Sequence, residues 1–254
     1  MILDWPSING VKACMTDRHG GISASPWDAM NLGDHVGDDP HAVAHNRQSL
    51  AQRLDARPVF MAQVHGTQVL HLTQDTPDGL PADACWTQAR GLACTAMVAD
   101  CLPLLLCDSS GQWVAAAHAG WRGLAGHQEV GVLEALWLQL RSNGAEPSQT
   151  MAWLGPCIGP LAFEVGPEVR EAFVQEGLEL SEYFAAQPGD RFLADLAGLA
   201  RWRLQRLGIV LLGGNTSQPD WCTFTQSSKF FSHRRDSRVL GNTGRMVACI
   251  WRDH

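Results

Sequence analysis

Through the middle of the chain, apolar residues alternate with polar ones or gather in short runs, a pattern of strands rather than long helices. Residues 59–72, 92–98, 102–107 and 113–118 are such runs, bounded by Gly, Asp and Ser, with turns expected between them. The period then changes. Val130, Leu133, Leu136, Trp137 and Leu140 recur at helical spacing, so a helix is predicted over 127–140, stopped by Asn143-Gly144. Residues 151–154 read as another strand and 167–175 as a helix with Pro167 in its first turn. A further helix is predicted over 195–207, ending at Gly208, and a closing strand over 247–251. Strands and helices that do not alternate strictly point to an α+β fold, with helices covering a mixed sheet or sandwich. No linker, repeat or low-complexity run divides the sequence, so one domain over 1–254 is expected.

Charge narrows the range of functions. The 254 residues carry 19 Lys and Arg against 26 Asp and Glu, a formal charge of -7, whereas a nucleic-acid binder shows a basic excess. A small-molecule substrate is expected, and no nucleic acid. The longest apolar stretches, such as LPLLLC, fall far short of the about 20 residues of a membrane span, so no membrane partner is expected. The opening MILDWPSING puts Asp4 where a secretory signal needs unbroken apolar sequence, which reads as a cytoplasmic protein. Eight cysteines are scattered without a CxxC pair, and a chain of this length needs no disulfide framework, so most are expected reduced and buried.

Three short segments carry candidate chemistry. His65, in AQVHGTQV, interrupts a strand pattern and is followed by Gly66, which lets backbone approach its imidazole. Asp100 and Cys101 break the apolar run VADCLPLLL, and a buried Asp requires partners. His118 ends the strand of AAAHAGWRG, where small residues admit a ligand and Arg122, leading into a helix, suits an anion. Each alone also reads as ordinary structure: a hydrogen-bonded histidine, a turn Asp beside a core Cys, a capping Arg. Together, two imidazoles and a thiolate are the ligand set of an open zinc site, with the fourth position left to water or substrate. Asp100 suits either of two roles, orienting a ligating histidine or capping its turn. His71, six residues beyond His65 and so on the same strand face, is the alternative ligand. Cys157 in GPCIG reads as packing or as pocket wall, and His127 and Glu164 are weaker candidates. Arg234 and Arg235 with Asp236 read as a solvated turn. Copper (Cu2+) accepts the same donor types as Zn2+, but no His-x-His pair occurs among the ten histidines, against a multicopper oxidase.

These motifs lie in a larger pattern. TDRHGGIS, NLGDHVGDD, QVHG, ADCLPLLLCD, AAAHAGWRG, LGPCIGPLAFEVG, FFSHRRD and TGRM follow one another along essentially the whole chain. In this the sequence resembles the laccase-domain family, also called the peptidoglycan editing factor or purine nucleoside phosphorylase family, formerly polyphenol oxidase. The resemblance implies a sandwich-like β core flanked by helices, with metal ligands at His65, Cys101 and His118. It also implies zinc-dependent phosphorolysis of adenosine, inosine, guanosine and methylthioadenosine, with adenosine deamination as a side activity.

Phosphorolysis requires cations for phosphate, and Arg18, Arg47 and Arg122 are the candidates. Alternatives from other classes stay open. One is a zinc amidase removing a wrong amino acid from a UDP-MurNAc cell-wall precursor, or its metal-free variant with Cys101 as nucleophile and His118 or His65 as base. A copper polyphenol oxidase and a non-catalytic metal-binding interaction module are the others. Asp17 and the spacing between Ser237 and Asn242 depart from the family pattern, which bears on the pocket rim and substrate preference.

Overall fold

The computed structural model describes residues 8, 10–128 and 130–253; the N-terminal reading that used Asp4 lies outside them. Along the chain come β1 (Val11–Met15), α1 (Pro40–Leu54), β2 (Arg57–Val59), β3 (Val69–His71), β4 (Ala84–Thr87), β5 (Leu92–Val98), β6 (Leu102–Asp108) and β7 (Val114–Ala119). There follow α2 (Trp121–Ala125), α3 (Val132–Ser142), β8 (Thr150–Leu154), β9 (Glu164–Val165), α4 (Pro167–Val174), β10 (Phe184–Gln187) and β11 (Arg191–Ala194). The chain closes with α5 (Leu196–Arg206), β12 (Leu211–Gly214), α6 (His233–Leu240) and β13 (Met246–Arg252).

A four-stranded sheet, β1-β13-β5-β2, packs against a six-stranded one, β12-β8-β6-β7-β4-β3, while β10-β11-β9 form a small third sheet. Period-two alternation explains the stacking. Met246, Ala248 and Ile250 of β13 face Leu105, Cys107, Val114 and Ala116 of β6 and β7 across the sandwich. The intervening Val247, Cys249 and Trp251 face outward to Leu50 and Leu54 of α1. On the other side, Leu102, Leu104, Leu106, Ala115 and Ala117 meet Leu133, Leu136, Trp137 and Leu140 of α3 and the apolar stripe of α5. The central strands β5, β6, β7 and β13 are buried on both faces, which is why they read as apolar runs rather than strict alternations. The result is an α+β sandwich flanked by helices, as the sequence pattern predicts.

Several elements differ from the sequence reading. The expected strand 59–72 is two short strands, β2 and β3, with an irregular loop between them. Its ladder is replaced by side chains: the Gln63 amide pairs with Met97 N–H and C=O, and the Asp83 carboxylate takes the N–H groups of residues 64–66. The helix expected from 127 starts at Val132, because Gly126, at φ 67°, ends α2 and His127 and Val130 exchange backbone hydrogen bonds before it. Helix α1, the longest, was not expected. Its buried positions, Ala42, Val43, Asn46, Leu50 and Leu54, include a polar residue and make a thin stripe, and its clear signal is the Asp39 cap before Pro40. The expected solvated turn at Arg234-Arg235-Asp236 is instead the first turn of α6. There Arg235 donates to the carbonyls of Thr223, Phe224 and Phe230 and pairs with the buried Asp236.

None of the eight cysteines is in a disulfide, and six of them are buried. Among the described residues, no helix is long and apolar enough to cross a membrane.

Candidate metal centre

The three candidate ligands come from three different pieces of backbone. His65 stands on the loop after β2 with φ 60°, not in a strand. Cys101 follows a turn at Asp100 and leads into β6; His118 lies on β7, where it pairs in register with Pro103. Antiparallel pairing of β6 with β7 therefore brings Cys101 and His118 to the same end of the sheet. One donor atom from each of the three residues lies within 4.8 Å of the others, with Cys101 Sγ 3.8 Å from His65 Nε2. The His65 and His118 rings meet edge to face, with centroids 4.8 Å apart.

Asp83 organises this cluster. It is fully buried, and each carboxylate oxygen accepts two hydrogen bonds. Oδ1 accepts from His65 N–H at 3.0 Å and from His118 Nδ1 at 2.8 Å; Oδ2 accepts from Val64 N–H at 3.2 Å and Gly66 N–H at 2.7 Å. Its backbone carbonyl accepts the His118 N–H at 2.7 Å. An ionised carboxylate only accepts, so Nδ1 of His118 carries a proton and Nε2 is left for a metal. Burial pushes the Asp83 carboxyl up, but the hydrogen bond and charge of His118, with the Gly66 and Val64 N–H groups, outweigh it and hold the carboxyl below its usual range.

Electrostatics prepares the donors. Burial raises the Cys101 thiol, yet the charge and hydrogen bond of His118, with His65, bring it down to about 6. Burial lowers His118, but the Cys101 thiolate and Asp83 lift it to about 9. Both shifts favour a thiolate beside an imidazolium, a pairing in which a cation bound at Nε2 of His118 would take the place of a proton. The donor set fits zinc: nitrogen and sulfur ligands around one tetrahedral ion stand about 3.5 Å apart, close to the 3.8 Å seen between Cys101 and His65.

Glycines make room for this approach. A Cβ on Gly120 would lie 2.8 Å from His65 Cδ2 and 3.1 Å from Cys101 Sγ, and one on Gly123 would meet Gly66 O at 2.8 Å. Gly120→Ala is expected to displace the His65 ring and weaken metal binding by about tenfold or more, the scale seen when ligand orientation is lost. Chelator competition measures this, and wild-type affinity would show that the ring has room to move.

The donors open onto a cavity of about 350 Å³. Met97, Ile158 and Phe163 form its apolar wall; Arg234, Arg245, His35 and His233 form its basic one. Burial, then the charge of Arg245, holds His35 and His233 below the ordinary imidazole value, so both are neutral at pH 7. Arg245 donates through one nitrogen to the carbonyls of Thr243 and Gly244, and Arg234 donates to Glu164 O.

The three arginines nominated from sequence lie off this wall. Arg18 bonds Asp28 and the Ser227 carbonyl and covers Phe231; Arg47 bonds Leu32 O, pairs with Asp34 and covers Phe60; Arg122 is exposed and stacks on Trp121. His71 stacks on Trp86 and is outside the donor cluster. Asp100 does not orient a histidine; its carboxylate bonds Thr223 and Arg234 N–H. Cys157 is packed behind the wall beside Asn215, His127 sits in the turn between α2 and α3, and Glu164 is exposed on β9. Sequence reading missed Asp83, Arg245, Gln63, His35 and His233. Asp83 carries the same mark that singled out Asp100, an acid inside an apolar run.

Comparison with known proteins agrees with this architecture. Residues 12–253 match the family model described as multi-copper polyphenol oxidoreductase laccase. A Pseudomonas aeruginosa protein named purine nucleoside phosphorylase is 49% identical over 250 residues, covering 98% of this chain and 96% of that protein. Escherichia coli YfiH, also named purine nucleoside phosphorylase, is 46% identical over 253 residues, covering 99% and 98%. The crystal structure of a Neisseria meningitidis DUF152 protein is 40% identical and superposes with a TM-score of 0.89, covering 100% of this chain and 99% of that one. That of YlmD from Geobacillus stearothermophilus is 31% identical with a TM-score of 0.84, covering 98% and 94%. Sequence, sandwich and donor cluster thus converge, and the chain belongs to the laccase-like YfiH (DUF152) family.

Proposed function

We propose that the chain is a single-domain, zinc-dependent purine nucleoside phosphorylase with adenosine deamination as a side activity. The observation that carries this reading is the placing of a His-Cys-His donor cluster beside two arginines on one small cavity. The names of its relatives favour the same reaction. Eight unpaired cysteines favour a reducing compartment, the cytoplasm.

His65, Cys101 and His118 would hold the ion. Once bound, zinc supplies Lewis acidity and lowers the pKa of water. Arg234 and Arg245 replace Arg18, Arg47 and Arg122 as the phosphate ligands, since planar guanidinium groups match a phosphate edge. Met97, Ile158 and Phe163 offer the nucleoside a dry face, and neutral His35 and His233 offer its base hydrogen bonds. In phosphorolysis a phosphate oxygen attacks C1′ of the ribose while the C1′–N9 bond breaks. The purine leaves with the bonding pair and takes up a proton. A cavity of about 350 Å³ sits at the small end of ligand pockets, suited to a nucleoside with an anion rather than to a whole cell-wall precursor. Copper would meet the same three donors, the one such group among the described residues.

Zinc-loaded protein incubated with adenosine and inorganic phosphate is expected to yield adenine and ribose 1-phosphate, resolved by chromatography with mass detection. Inosine as the sole product would assign the site to deamination. No turnover would overturn the reading in favour of the precursor amidase.

A further inference from the structure

Asp100 precedes the thiolate ligand in sequence, yet its side chain turns away from the metal donors. Its φ of 88° lies in the left-handed region that side chains disfavour, so something must hold it there. The residue is nearly buried, at 9% exposure, and its carboxylate accepts two short hydrogen bonds. One comes from the Thr223 hydroxyl at 2.6 Å, the other from the Arg234 backbone N–H at 2.6 Å. The Asp100 carbonyl also accepts Ile158 N–H at 2.9 Å. A single residue thus ties the turn carrying Cys101 to the 158 loop, to Thr223 and to the first turn of α6.

Helix α6 depends on such ties. Of its eight residues only Asp236 is buried, while Val239 and Leu240 are exposed. Its remaining attachments are polar: Arg235 donates to the carbonyls of Thr223, Phe224 and Phe230, Arg234 donates to Glu164 O, the Ser232 hydroxyl accepts Arg235 N–H, and Asp236 accepts from the Thr243 hydroxyl and Ser232 N–H. A helix with so little apolar burial takes its position from its latches and opens easily without them. The first turn of α6 also carries His233 and Arg234, both on the cavity wall.

We propose that Asp100 is a positioning residue, latching the first turn of α6 over the cavity so that Arg234 meets the phosphate while Cys101 meets the metal. The identity of the anion rests on the phosphorylase reading; the latch itself does not. Glycine would suit the backbone better at this position, but it would lack both latching oxygens.

The test compares zinc-loaded wild type with Asp100→Gly and Asp100→Asn. Glycine adopts the same backbone without strain and removes both side-chain hydrogen bonds, whereas asparagine keeps an oxygen for Arg234 N–H and turns its amide to the Thr223 oxygen. Asp100→Gly is expected to retain its zinc and to raise the KM for inorganic phosphate about tenfold, the scale of one charge-assisted hydrogen bond. The KM for adenosine should stay within about twofold, and the amides of residues 233–240 should exchange with deuterium about tenfold faster. Asp100→Asn should restore both the phosphate KM and the exchange rate to near wild type. Should Asp100→Gly fail to fold, Thr223→Val removes one partner at constant shape and should shift both quantities about threefold. Unchanged amide exchange overturns the latch, whatever reaction the enzyme catalyses. Faster exchange with an unchanged phosphate KM overturns the link to the anion, and loss of zinc would make Asp100 a support of Cys101 instead. A wild-type enzyme that ignores phosphate overturns the phosphorylase reading while the exchange measurement still decides the latch.

Discussion

His118→Ala protein is expected to bind no zinc and to show no phosphorolysis while remaining folded. The substitution removes one of three donors, and a nitrogen and a sulfur alone, on an exposed loop residue and a half-buried strand end, do not make a catalytic zinc site. Folding should survive because Asp83 keeps three backbone N–H donors when the imidazole goes, so its carboxylate stays satisfied. The remaining cost is the loss of one buried ring, about 1–3 kcal/mol. In a chain of this size that lowers Tm by about 2–4 °C for each kcal/mol. Metal analysis, an activity assay and calorimetry in chelator read the three parts separately, and full activity would sink the site assignment.

Asp83→Asn should damage the site without touching a ligand. The carboxylate accepts four hydrogen bonds, two at each oxygen, and an amide offers one oxygen and an NH2 group that faces donors. Two of the four donors are therefore left without an acceptor, at about 1–3 kcal/mol each. With the amide nitrogen in place of Oδ1, His118 loses the partner that fixes its proton on Nδ1 and His65 N–H its acceptor; in place of Oδ2, the loop loses its bonds at Val64 and Gly66. Zinc affinity is expected to fall about 10–100-fold. Titration against a chelator of known affinity measures it; a variant that binds zinc as tightly as wild type would show that strand geometry alone holds the histidines. Asp83 is thus expected to cost affinity where His118 costs the site, and the contrast separates a positioning residue from a ligand.

The arginines illustrate where local reading stops. Arg122 has the expected neighbours for an anion site, next to His118 and at a helix start, but α2 is five residues long and the side chain lies back on Trp121. Arg245 has no local mark beyond its place in TGRM. It reaches the cavity because Asn31 holds its backbone N–H, and the β13 strand that follows is seated at the centre of the four-stranded sheet. Likewise His65 resembles a strand residue by its neighbours. It is a loop residue because Asp83, eighteen positions on, competes successfully for the N–H groups a strand partner would have taken. Asp83 and Asp100 look alike in sequence, but in the fold it is Asp83 that bonds His118, while Asp100 bonds Thr223 and Arg234 N–H.

Periodicity and residue chemistry by themselves determined the fold class, the strands β5, β6, β7, β8 and β13, the α4 and α5 helices and the choice of His65, Cys101 and His118 as candidates. Those features follow from burial of apolar faces and from the donor types that zinc accepts, both of which act through short stretches of chain. Which acid bonds the candidate ligands, which cations face the cavity, and which helix lines it were decided only by the tertiary structure. Each depends on a hydrogen bond between groups far apart in sequence: His118 to Asp83, 35 positions away, and Arg234 to Asp100, 134 positions away. A pairing of that kind is set by how the two sheets and their connecting loops are stacked, and no local pattern encodes it.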